Sequence, residues 1–223
     1  TGLSGFDAHV QILEHLRQGR EANCGAIVWG ELTMPEASVA FLTEQLRAQA
    51  LDGHNPYRYL VAGSWHREVG GQMRNVAQVL DGYGELLFAV HKWAKFKIGS
   101  RQEAIEPGDE VHVLVCEDEL MVVAICRDFL QSTTDVPYRK LNADVAIVPS
   151  MIATIEDAAT IRGHAATADV MRVRFGTRTL VVAQPATAKG ETVGKVLAFP
   201  AKPITSDGEP VAGPSRLCLL DAS

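Results

Sequence analysis

The chain is poor in cysteine. Its four, Cys24, Cys116, Cys126 and Cys218, are scattered, and no two form a CxxC pair. That spacing argues against a disulfide framework or a structural zinc site and fits a reducing cytoplasm. Positive charge is also short: 21 Lys and Arg stand against 27 Asp and Glu, for a net charge of −6. Without surplus cations to neutralise phosphates, nucleic acid is not an expected partner. No apolar run approaches the ~20 residues that a bilayer crossing takes, and no charged-then-apolar leader opens the sequence, so no membrane is expected either. GxGxxG and P-loop texts are missing, which removes support for a bound dinucleotide or triphosphate. The chemistry expected here uses no cofactor and no metal.

What is present is an ordinary globular composition. In 223 residues, 47% are hydrophobic and 22% charged, enough for a substantial core in one large domain. The whole chain, 1–223, is expected to be that single domain. Because it opens at Thr1 with a helix almost at once, it is also expected to be a piece of a longer protein.

Read in order, Phe6, Val10, Leu13 and Leu16 recur on one face of an expected helix, Phe6 to Arg17. Ala26 to Trp29 is a buried strand running into Gly30 and Glu31. Thr33-Met34-Pro35-Glu36 fits a capping box for a helix to Ala50 that buries Val39, Leu42 and Leu46. Tyr59 to Trp65 and Val76 to Leu80 are strands, and Asp81 to Gly84 turns the second into Leu86 to Val90 as a hairpin. Val111, Val113 and Val115 alternate as a half-buried strand. Gln131 to Leu141 suggests a short helix, Asp144 to Pro149 a strand, Thr154 to Arg174 a long helix, and Arg178 to Gln184 a strand. Beyond Pro185 the text diverges, with two late strands at KVLAFP and RLCLLDA. Strands alternating with helices, with hairpins inserted, describe an α/β sandwich with mixed sheets.

The most informative stretch is Leu120 to Leu130, LMVVAICRDFL. Its apolar run reads as a strand covered on both faces, and it ends in a thiol followed by two charges. A lone cysteine is more often an inert packing residue. Two other buried strands, however, also end in reactive groups, Glu31 and Lys92, and strand ends in layered folds collect on one rim. A carboxylate can take a thiol proton as general base. An ammonium favours the thiolate and stabilises the oxyanion formed when a carbonyl is attacked. The backbone N–H of Arg127 is a second donor to that oxygen. Lys92 is preferred over Lys95 for its strand position and its eight-residue spacing from Gly84, and His91, facing the other way, is set aside as structural. His164 is taken for a surface or packing residue.

These residues resemble the nitrilase superfamily, the carbon–nitrogen hydrolases. Four stretches carry the likeness in order: AIVWGEL, GELLFAVHK, VVAICRDF and NADVAIVPS, with AGS at Ala62 to Ser64 and EPGDE at Glu106 to Glu110 between them. The resemblance implies an α-β-β-α four-layer sandwich, paired across the helix layer into homodimers or larger homo-oligomers, acting on a small-molecule amide. It implies Glu31 as base, Lys92 as oxyanion stabiliser and Cys126 as nucleophile. It also implies a second, substrate-orienting glutamate, for which Glu103 is the best match and Glu106 the rival. Departures are visible. Gly30 stands where proline is usual, and Arg127 where an aromatic is usual, a long cation expected either to narrow the pocket or to recruit an acidic substrate. The family's first strand, before Phe6, and its late glycine-histidine-serine text are missing. An inactive or acyl-transferring module inside a larger protein is the competing expectation.

Overall fold

A computed structural model describes residues 8–53, 56–98, 100–130, 137–152, 158–185 and 195–201. Phe6, Cys218, the RLCLLDA segment, residues 131–136 of the expected short helix and the start of the expected long one lie outside these residues.

The two sheets grow from strands apolar on both faces. In the first, β1 (Ala26–Val28) pairs in parallel with β2 (Tyr59–Val61). β3 (Trp65–Val69) and β5 (Leu86–His91) both lie antiparallel to β4 (Gln72–Asp81), which also pairs β2. A small ribbon, β6 (Lys97–Ile98) with β7 (Arg101–Gln102), follows. The second sheet contains β8 (Val113–Val115), β9 (Leu120–Val123), β10 (Val145–Ile152), β11 (Arg178–Pro185) and β12 (Lys195–Phe199). Its three central strands are parallel, and β8 and β12 close its edges antiparallel. The expected β4–β5 hairpin forms, its turn held by Asp81 Oδ1 accepting the N–H of Tyr83 and Glu85.

Three core clusters reveal the layering. Tyr59, Val61, Ala77, Val79 and Val90 of the first sheet meet Met121, Val123, Ile125 and Ile147 of the second. Their sequence neighbours point the other way. Leu60 and Leu80 pack beneath α1 (Ala8–Glu21) and α2 (Glu36–Leu51), while Val122, Ala146 and Val148 pack beneath α3 (Arg127–Leu130) and α4 (Ala158–Phe175). Period-two alternation with both faces apolar thus gives the sequence α, β, β, α across the molecule. Each fully buried aliphatic side chain contributes about 1.5–3 kcal/mol to holding these layers together. Among the described residues, no helix is long and apolar enough to cross a membrane.

Several local expectations need correction. α1 buries Ile12, Leu16 and Gly19, whereas Val10 and Leu13 are 56% and 44% exposed. The face is set by Gly19: a Cβ there would lie 2.8 Å from the Tyr57 hydroxyl oxygen, so the helix comes close only along that stripe. Tyr57 then donates to the Leu16 carbonyl at 2.7 Å. The capping box does not form. Pro35 is the N-cap, too far along for Thr33 to reach the first turn, and Thr33 Oγ1 donates instead to the Gly30 carbonyl. The expected Tyr59 to Trp65 strand breaks at Gly63, and β8 turns Leu114 inward with Val113 and Val115 outward.

Candidate active site

β1, β5 and β9 end on a common rim, and each is followed within three residues by a buried polar residue: Glu31 (2% exposed), Lys92 (2%) and Cys126 (3%). Their placement is a backbone matter first. Gly63, at φ 50°, lies against the β1 end so closely that a Cβ would come 2.4 Å from the Gly30 carbonyl oxygen. Ser64 next to it donates its N–H to that carbonyl and takes the N–H of Leu32 on its hydroxyl, fixing the loop that carries Glu31 inward. Cys126 itself adopts φ 49°, a left-handed conformation costly for a side chain with a Cβ, and its N–H is held by the Pro149 carbonyl at 2.8 Å. The thiol therefore projects from a tight elbow between β9 and α3.

The side chains form one charged network. Lys92 Nζ donates to Glu31 Oε1 at 2.7 Å and to Glu103 Oε2 at 2.8 Å. Asn75, wholly buried on β4, donates through Nδ2 to Glu31 Oε1 and to Glu103 Oε1, both at 3.0 Å. Facing two carboxylates, the amide must present nitrogen rather than oxygen, which fixes its orientation. His66 Nε2 meets Glu103 Oε1 at 3.0 Å, and the Phe96 N–H donates to Glu103 Oε2 at 3.0 Å. Burial alone would raise the Glu103 carboxyl, but His66, Lys92 and the Phe96 N–H outweigh it and hold it at about 2. Burial likewise works against the Lys92 ammonium, yet the negative charges of Glu31, an ionised Cys126 and Glu103 drive it well above the ordinary lysine range.

The sulfur approaches from the second sheet. Glu31 N–H donates to the Ser150 carbonyl at 3.3 Å, while the hydroxyl of the same Ser150 lies 3.3 Å from Cys126 Sγ. One residue of β10 thus ties the carboxylate's backbone to the thiol. Asp128, two residues past the thiol and fully buried, accepts the N–H groups of Trp93 and Ala94, which follow Lys92. Burial lifts the Asp128 carboxyl to about 7 against the pull of those donors. Glu31 and Lys92 both act on the sulfur electrostatically. Lys92 favours the thiolate, as the sequence suggests, but it does not prevail. Burial, reinforced by the charge of Glu31, pushes the Cys126 thiol up to about 12, beyond what Lys92 and Ser150 restore.

Of the residues singled out in the sequence, Glu31, Lys92, Cys126 and Glu103 are brought together. Lys92, not Lys95, joins the carboxylates, and Glu106 is exposed with its N–H on the Met73 carbonyl. His91 faces Arg74, away from the site. Arg127 opens α3 beside the thiol, partly exposed. Asn75, His66, Ser150 and Asp128 were not foreseen as site residues. His164, taken for a surface or packing residue, is 1% exposed and its ring nitrogen faces Ser150. A base, an ammonium and a thiol in one buried place can move a proton off sulfur and stabilise an oxyanion.

No family model and no curated protein matches the chain. Solved structures do. The glutamine-dependent NAD+ synthetase of Acinetobacter baumannii superposes with a TM-score of 0.66 at 16% identity over 86% of this chain, which spans 38% of the synthetase's length. An amidase from Nesterenkonia sp. AN1, elsewhere described as from the nitrilase superfamily, gives 0.63 at 19% identity over 91% of this chain and 80% of its own. A carbon–nitrogen hydrolase from Helicobacter pylori G27 gives 0.60 at 15% identity over 86% of this chain and 76% of its own. The chain shares its fold with these structures.

Proposed function

We propose that the protein hydrolyses a non-peptide carbon–nitrogen bond, in a small amide or carbamoyl compound, through a thioester on Cys126. The observation that carries this is the buried Lys92–Glu31 contact at 2.7 Å, with both groups acting on the Cys126 sulfur. Because the resting thiol is protonated, Glu31 takes its proton as sulfur attacks the carbonyl carbon. The carbonyl oxygen becomes an oxyanion met by Lys92 and the Arg127 N–H. Lys92 has three N–H donors, of which Glu31 and Glu103 hold two, leaving one for this oxygen. Collapse breaks the C–N bond, and Glu31 returns the proton to the departing amine. Water, deprotonated by Glu31, then attacks the thioester. The second collapse expels the thiolate, which regains a proton as the acid leaves.

Glu103 is assigned the orientation of substrate, which its own bonds to Lys92 and His66 support by fixing the donor at the carbonyl. Arg127 is assigned a negative group on the substrate. The Nesterenkonia amidase supports a nucleophilic cysteine on this fold, since a mutant of it carries the acetamide moiety of fluoroacetamide on the active-site cysteine. The proposal includes a cytoplasmic protein that forms homodimers or larger homo-oligomers, which sedimentation would measure. The deciding experiment is intact mass spectrometry after exposure to an amide panel with neutral and acidic members. An acyl mass on the wild type, absent from Cys126→Ala together with turnover, is expected. Undiminished turnover in Cys126→Ala overturns the proposal.

A further inference from the structure

His164 is a buried histidine that the reaction above does not use. It lies on α4, its ring near parallel to that of Phe129 with centroids 6.3 Å apart. Its Nε2 is 3.5 Å from Ser150 Oγ, at the long end of hydrogen-bond range, and Ser150 Oγ is 3.3 Å from Cys126 Sγ. Ser150 is fully buried and His164 is 1% exposed, so these contacts stand apart from bulk water. The sulfur therefore has two polar sides. Glu31 and Lys92 bear on its charge from the first sheet; a hydroxyl backed by an imidazole approaches it from the second sheet and the helix layer behind.

We propose that Ser150 and His164 form a donor line to the Cys126 sulfur, with His164 Nε2–H donating to Ser150 Oγ and the Ser150 hydroxyl donating to sulfur. A serine hydroxyl has one hydrogen and two lone pairs, so it can donate to sulfur or to histidine, not both. In the resting enzyme the S–H points to the Met151 carbonyl, 3.7 Å away. When that proton passes to the Glu31 carboxylate, the electron pair stays on sulfur, which can then only accept. The Ser150 O–H serves it, and a lone pair of Ser150 accepts from His164. Lys92 cannot hold the sulfur charge alone, because two of its donors are engaged by Glu31 and Glu103. Ser150 touches the reacting atom; His164 is a positioning residue that acts through it. This deepens the proposed hydrolysis and rests on Cys126 being its nucleophile.

The test reads the thiol rather than amide turnover. The full chain is alkylated with iodoacetamide between pH 7 and 10, and Cys126 labelling is followed by peptide mass mapping. Below the thiol midpoint the rate tracks the thiolate fraction, so a weakened donor line slows labelling at every pH. Ser150→Ala is expected to slow it about tenfold, the worth of one hydrogen bond to a charged group. Ser150→Thr keeps the hydroxyl and should stay near wild type. His164→Phe keeps the ring but loses the donor and should slow labelling about threefold, with His164→Gln restoring it. Ser150→Ala with His164→Phe should be no slower than Ser150→Ala, since the imidazole acts through the hydroxyl. Wild-type labelling of Ser150→Ala overturns the proposal. Equal rates for His164→Phe and His164→Gln remove His164 from it, and if His164→Phe does not fold, His164→Gln falling below wild type does the same. Persistence of this pattern without any acyl adduct in the amide panel would sink the hydrolase assignment and leave the donor line standing.

Discussion

Replacing Lys92 with methionine should turn the pH dependence of stability around. The methionine fills most of the lysine volume, so packing changes little, but the ammonium between Glu31 and Glu103 is gone. Its two contacts, at 2.7 and 2.8 Å, are each worth about 6 kcal/mol of Coulomb energy at an effective dielectric of ~20, offset in part by desolvation. The net loss at pH 8 should be about 3–5 kcal/mol, the usual cost of leaving a buried charge uncompensated. In the wild type, Glu103 at about 2 lies below its ordinary 4.5, so its contribution is fully present above pH 4.5 and is lost as pH falls toward 2. That contribution is at most about 3 kcal/mol. In Lys92→Met the carboxylate pair, held together only by Asn75, takes up a proton on folding. The folded form then binds more protons than the unfolded form above pH 4.5, so stability falls as pH rises from 5 to 8. Urea unfolding at pH 5, 6.5 and 8 measures this, with Lys92→Met/Glu103→Gln expected to recover most of the loss at pH 8. A variant within 1 kcal/mol of wild type at pH 8, or one with no reversed slope, would refute the buried-charge reasoning.

Asn75→Leu should cost about 3 kcal/mol in urea unfolding and lower kcat, because both glutamates lose a donor at 3.0 Å. Wild-type stability and kcat would show the amide to be incidental. Gly63→Ala should cost about 2–4 kcal/mol in thermal unfolding, since its φ is 50° and the added Cβ would meet the Gly30 carbonyl at 2.4 Å. An unchanged Tm would mean the loop carrying Glu31 can move aside. Arg127→Leu should raise KM for acidic amides by about tenfold while sparing neutral ones; an equal effect on both would take Arg127 out of substrate recognition.

The strands that carry the site were legible because each is a short apolar run, and an apolar run buried on both faces has few alternatives to a central strand. Glu31, Lys92 and Cys126 stand at or just past the ends of such runs, so their order followed from local text and their shared rim from the way strand ends collect in layered folds. The face of α1 was not legible, because Val10, Ile12, Leu13 and Leu16 admit two helical stripes, and Gly19 beneath Tyr57 chose between them. Nor were Asn75, His66, Ser150 and His164. Each sits inside a strand or helix whose pattern marks only inward or outward, and each matters for a partner far away along the chain. The sequence by itself determined which elements form and which reactive groups end them. Only the tertiary structure decided the protonation of the Cys126 thiol. That depends on how much water the two sheets exclude and which charges they bring beside the sulfur, quantities that no stretch of text contains.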